Sequence, residues 1–140
     1  MTRRSCTVIV LSTAFIAACT SAGPPPATAQ ELATRLADAG ITHDELKTLP
    51  APKGKYFRWD EGIALVSDDL WVEIIRIEDQ RTFGIARDAS GLLLLAEAVA
   101  GREFPGKPEI YTRQPFLIVV RQEPTPGGVL ATLDRILPAE

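Results

Sequence analysis

Gly101 to Lys107, GREFPGK, has the G-x-x-x-x-G-K spacing of a loop that cradles nucleotide phosphates. That chemistry needs more than spacing. A Ser or Thr must follow the lysine to hold Mg²⁺, and a strand before and a helix after must aim amide N–H groups at the phosphates. Here Pro108 follows the lysine, an apolar helical run precedes the loop and a strand comes next. A Gly/Pro connecting loop is expected, and no nucleotide. His43 is the only imidazole. Zinc takes three or four ligands and a general base needs a nucleophile beside it, so a solvated residue at the start of a short helix is expected. Asp60, Glu61, Asp68 and Asp69 could gather at one sheet end around Ca²⁺, but they lack the alternating spacing of a calcium loop and read as turn formers. Ser67 and Ser90 stand in no G-x-S-x-G or S-x-x-K setting. Neither a cofactor nor a metal is expected.

Charged residues inside apolar strands form the second candidate set. Glu73 and Arg76 lie within WVEIIRIE, and Arg58, Arg113 and Arg121 lie in neighbouring segments. A charge carried into a sheet needs a partner, so cross-strand ion pairs on a solvent face of the sheet are the ordinary outcome. The sharper reading is a pocket for a small polar ligand lined by Arg58, Arg76 and Arg121. Tyr56, Phe57, Trp59, Trp71 and Tyr111 also fall in strand-like segments. Most belong in a core; an exposed Trp/Tyr patch would mark a protein contact.

Cys19 has chemistry of another kind. Arg3 and Arg4 make a basic end, Thr7 to Ala18 is a short apolar run, and Ile16-Ala17-Ala18-Cys19 closes it. These are the three parts of a secretory signal. Twelve residues fall short of the roughly 20 that span a bilayer. The Ile16 to Cys19 run resembles the lipobox of bacterial lipoproteins. The resemblance implies a diacylglyceryl thioether on Cys19 and cleavage between Ala18 and Cys19. Each buried methylene contributes about 0.8 kcal/mol and two chains suffice for stable anchoring, so such a membrane attachment would be effectively permanent. Thr20 stands where an Asp often retains lipoproteins at the inner membrane, which favours the outer membrane where there is one.

Residues 1–18 are thus expected to be a signal peptide, 19–27 a lipidated cysteine with a Pro-rich tether, and 28–138 a single domain. Removing residues 1–18 takes away two of the 15 basic residues and none of the 18 acidic ones, leaving a charge of −5. That balance excludes a nucleic-acid footprint and a polybasic lipid patch. With Cys6 in the signal and Cys19 alkylated, no disulfide is available to the domain. In TSAGPPPA, three prolines favour extended polyproline II.

The elements that must position these residues are legible from caps and periodicity. Thr28 and Glu31 make a capping box ahead of a helix whose apolar face holds Leu32 and Leu36, and Gly40-Ile41 has the form of a Schellman ending. Thr42 to Glu45 repeats the box and predicts a short helix to Leu49. Lys55 to Glu78 reads as strands with turns at Asp60-Glu61-Gly62 and Ser67-Asp68-Asp69, the WVEIIRIE strand being central. Asp79 caps a helix interrupted at Ser90-Gly91; Leu92 to Ala100 is a second buried helix or its continuation, with Gly101 after it. Ile110 to Arg113 and Phe116 to Gln122 form a hairpin, and Val129 to Leu137 a closing helix. The expected fold is α+β: a small two-layer domain with an antiparallel sheet of four to five strands and helices packed on it.

Val72 to Asp79, Phe116 to Arg121 and Val129 to Leu137 together resemble the strand, hairpin strand and closing helix of a group of small uncharacterised bacterial lipoproteins. The resemblance covers about half the chain and transfers no functional residue, and Leu92 to Leu95 departs from the polar loop it would place there. The expectation is a lipid-anchored cell-envelope protein without catalytic activity, serving an interaction or accessory role with an envelope protein partner. A small-ligand binder using the strand arginines is the alternative, and an enzyme without a recognisable motif the third reading.

Overall fold

The computed structural model describes residues 24–50, 58–99 and 104–139. The signal-like segment, Cys19, Tyr56, Phe57 and Gly101 lie outside the described residues. Among the described residues, three helices and five strands follow in the order α1 (Ala29–Asp38), β1 (Glu45–Thr48), β2 (Glu61–Ser67), β3 (Leu70–Arg76), α2 (Gln80–Val99), β4 (Glu109–Arg113), β5 (Phe116–Gln122) and α3 (Gly127–Ile136). The strands form one antiparallel sheet in the order β1-β2-β3-β5-β4. This is the α+β arrangement that the alternation of caps and apolar runs predicts.

The pleat sends alternate residues to opposite faces, and both faces are buried along the central strands. On one face Ile63, Leu65, Val72, Ile74, Phe116, Ile118 and Val120 meet Leu32 and Leu36 of α1 and Val129 and Leu133 of α3. α1 reaches this core because Ala29, Leu32, Ala33 and Leu36 fall at i, i+3, i+4 and i+7. On the other face Ile75, Leu117 and Val119 pack with Phe83 and Ala86 from the start of α2, with Leu49 and Trp59 at the margin. Burial on both sides explains why β5 reads as a continuous apolar run, whereas β3 alternates from Leu70 to Glu73 and is buried on both faces at Ile74 and Ile75.

The local signals of α1 act as expected. The Thr28 hydroxyl accepts the Glu31 amide at 3.0 Å, and the Glu31 carboxylate accepts the Ala27 amide at 2.8 Å. At the other end the Ile41 amide donates to Leu36 O and the Gly40 amide to Ala37 O, which completes the Schellman pattern. Asp79 likewise accepts from the amide and hydroxyl of Thr82 at the start of α2. α2 then runs unbroken through Ser90-Gly91 to Val99, so the two helical stretches are one.

Two local expectations are corrected. Residues 45–48 form a strand, not a helix: Glu45 to Thr48 pairs with Val66 to Ile63, and the Asp44 amide donates to Val66 O. The bonds offered by the flank of β2 outweigh the weak helical preference of a four-residue segment. Glu61 and Gly62 open β2 rather than forming a turn. Gly62 is needed there because a Cβ would stand 2.9 Å from Trp59 Nε1, so the strand and the indole can be in contact only without a side chain.

Candidate functional site

The strand arginines are distributed over the sheet instead of converging. Arg76 pairs across the ladder with Glu61 and Phe116, whereas Arg121 lies opposite Trp71. Trp71 and Arg76 are five residues apart on β3, so the two arginines sit about 17 Å apart along the strand and, by the alternation of the pleat, on opposite faces. Arg58 is exposed and lies toward the Arg76 end, where the Asp60 amide donates to Arg76 O. The groove beside Lys107 and the groove beside Pro25 have none of the three in their lining.

Arg76 serves the N-terminus of α1. Its Nε lies 3.4 Å from Glu61 Oε2, and its Nη1 lies 2.7 Å from Glu78 Oε1. The Glu61 carboxylate in turn accepts the amides of Ala29 and Gln30 at 3.0 and 3.1 Å. The first amides of a helix have no partner within it, and its dipole favours an anion there. Glu61 supplies that anion from a strand 31 residues downstream of Gln30. No short-range sequence signal marks such a partner.

Arg121 organises the opposite end, on the other face. Its side chain is 3 % exposed, and Nη1 stands 3.7 Å from Oε1 of Glu73, which is 13 % exposed. Glu73 Oε1 also accepts the Trp71 indole N–H at 3.0 Å. The guanidinium lies over the Phe104 ring with Cζ 4.0 Å from its centroid, Phe104 meets Trp71 edge-on at 4.9 Å, and Lys47 Nζ stands 5.3 Å from the Trp71 centroid. This cluster joins β1, β3, β5 and the segment entering β4. Glu73 answers the Arg121 charge, and Lys47 Nζ lies 3.8 Å from Glu45 Oε2. The expected cross-strand ion pair is therefore present, while the guanidinium head is turned away from solvent.

The acidic residues do not form a cation site. Asp60 and Glu61 stand at one end of β2 and Asp68 and Asp69 at the other, about 20 Å apart for a seven-residue strand. Among the described residues no group of three or more His, Cys, Asp or Glu is placed to hold a metal. His43 precedes β1, half-buried, in a loop rather than in a helix. The described part of the phosphate-loop-like run, from Phe104 to Lys107, leads into β4, and the Gly106 amide is donated to Glu123 Oε1 at 3.2 Å. A carboxylate on that amide opposes a phosphate. Beside it lies an open groove of about 670 Å³ lined by Lys107, Glu109, Gln122, Glu123 and Pro126 among others; one ammonium faces two carboxylates there.

Among the described residues the aromatic side chains do not supply an exposed patch. Trp59 and Trp71 are half-buried and Tyr111 is buried, its hydroxyl donating to Asp134 at 2.7 Å. Among the described residues the exposed large apolar side chains are Leu46 and Ile85.

The Pro-rich segment is more ordered than its composition suggests. Pro26 is buried, the Arg35 guanidinium donates to the Pro24 carbonyl, and Pro25 lines a groove of about 290 Å³ with the residues from Asp134 to Ala139 at the end of α3. Sequence reading treats residues 20–27 as a tether, yet residues 24–27 are seated on the α1/α3 layer.

No protein-family profile, no curated protein and no solved structure matches the chain. No helix among the described residues is long and apolar enough to cross a membrane.

Proposed function

We propose that this chain is a lipid-anchored cell-envelope protein whose domain has an interaction or accessory role rather than a catalytic one. The observation that carries the reading is Ile16-Ala17-Ala18-Cys19 behind Arg3, Arg4 and a twelve-residue apolar run. That run is too short to span a bilayer by itself. With two acyl chains on Cys19 it would need no other hold on the membrane. The polar-ligand alternative has less support, since the Arg76 and Arg121 guanidinium groups are engaged by Glu61, Glu78 and Glu73.

The test is expression of wild type and Cys19→Ala in the native host, with fractionation, mass analysis of the mature N-terminus and cross-linking in intact cells. A thioether-linked diacylglycerol on Cys19 and membrane recovery of wild type alone are expected. A partner captured only with wild type would identify the anchor-dependent contact. Equal solubility of both forms, with no acyl mass, would refute the anchor.

A further inference from the structure

The seating of residues 24–27 has a consequence for how the domain stands on a membrane. Chain entering the fold is held at Pro24 by Arg35 and at Pro26 by burial, and Pro25 between them borders a groove beside the end of α3. All three lie on the α1/α3 layer, whose inner side packs on the sheet. Five peptide steps separate Cys19 from Pro24, and even fully extended they reach at most about 18 Å. A domain of this length has a radius of gyration of about 13 Å, hence a width of about 35 Å. The anchor therefore cannot be carried around to the far side.

From this we propose that the outer surface of the α1/α3 layer is the face turned toward the phospholipid headgroups, and that the Asp68–Asp69 turn and the exposed side of α2 point away from them. The inference rests on lipidation of Cys19. Partners would then meet the domain at the far end.

Single cysteines test this directly, because the mature chain's own Cys19 is blocked by its lipid. The lipidated full-length product is reconstituted into phosphatidylethanolamine/phosphatidylglycerol vesicles that carry a headgroup quencher. Fluorophores are placed at Ala131→Cys or Ala139→Cys, and at Asp68→Cys or Asp88→Cys, all exposed positions. Severalfold stronger quenching at 131 and 139 than at 68 and 88 is expected. Inserting ten Gly/Ser residues between Ser21 and Ala22, which adds about 17 Å of flexible reach, should erase the contrast. Equal quenching at all four sites in vesicle-bound protein, or stronger quenching at 68, overturns the orientation and leaves the anchor intact. A contrast that survives the insertion overturns control by the short tether. Protein that neither floats with the vesicles nor carries acyl mass on Cys19 overturns the anchor, and the orientation with it.

Discussion

Arg121→Met removes a guanidinium that is 3 % exposed and leaves the Glu73 carboxylate, 13 % exposed, facing an apolar side chain. Breaking one side of a buried ion pair costs about 3–5 kcal/mol. The Nη1–Oε1 separation of 3.7 Å and the remaining Trp71 indole bond to Glu73 place this case at the lower end, about 3 kcal/mol. Loss of the cation over the Phe104 ring adds about 1 kcal/mol. Methionine keeps the packing of the aliphatic stem, so little further cost arises from volume. For a domain of this size a loss of about 3–4 kcal/mol lowers Tm by roughly 10–15 °C. Adding Glu73→Gln removes the stranded charge, and the double variant should return to within about 1 kcal/mol of wild type. The assay is urea unfolding of the chain beginning at Thr20, followed by tryptophan fluorescence, with the midpoint shifted and the slope unchanged. A single variant within about 1 kcal/mol of wild type would refute the structural assignment of Arg121. A double variant no more stable than the single would refute the charge argument. Either result would return Arg121 to the ligand-binding alternative.

Three other perturbations read separate features. Glu61→Gln weakens the anion at the start of α1 and the pair with Arg76, and should cost about 1–2 kcal/mol, with amide exchange at Ala29 and Gln30 accelerating before that of the sheet. The Thr82 hydroxyl, followed by its amide, holds Asp79 below its ordinary pKa of 3.8. The stability this contributes is complete above that ordinary value and is lost as pH falls through the lower folded one. Thr82→Val should therefore be less stable than wild type near neutral pH, with the difference vanishing in acid; a difference constant with pH would contradict the assignment. Gly106→Ala places a Cβ 2.7 Å from Gln122 O at a backbone φ of +70° and should cost about 2 kcal/mol, read as a lower midpoint in thermal melts.

The parts of the fold legible in the sequence are those governed by neighbours in the chain. Thr28, Glu31, Gly40 and Ile41 each act within a few residues, and α1 has the boundaries they set. Phe116 to Gln122 is apolar enough to specify β5 unaided. β1 was hidden because Glu45 to Thr48 has no strand-forming composition and exists as a partner for β2. The arrangement around the arginines was hidden for a related reason. Strand periodicity gives the face of each residue only within its own strand. The register that sets Arg76 opposite Phe116 and Arg121 opposite Trp71 is a long-range property. Glu61 capping α1 and Phe104 covering Arg121 are likewise contacts between distant parts of the chain. The proposed lipidation of Cys19 belongs to the opposite class: it rests wholly on the short run before it.

The seat of residues 24–27 also acts as a mechanical fuse. Tension applied ahead of Pro24 meets the Arg35 contact first, then the burial of Pro26, and only afterwards the Glu61 bonds that fasten α1 to the sheet. Releasing four residues yields about 14 Å of slack. A tug on the N-terminal chain would thus be absorbed by a short, reversible extension while the core stays loaded below its breaking point. The same four residues can reseat once the pull ends, because the Arg35 side chain that holds the Pro24 carbonyl belongs to α1 and not to the segment itself.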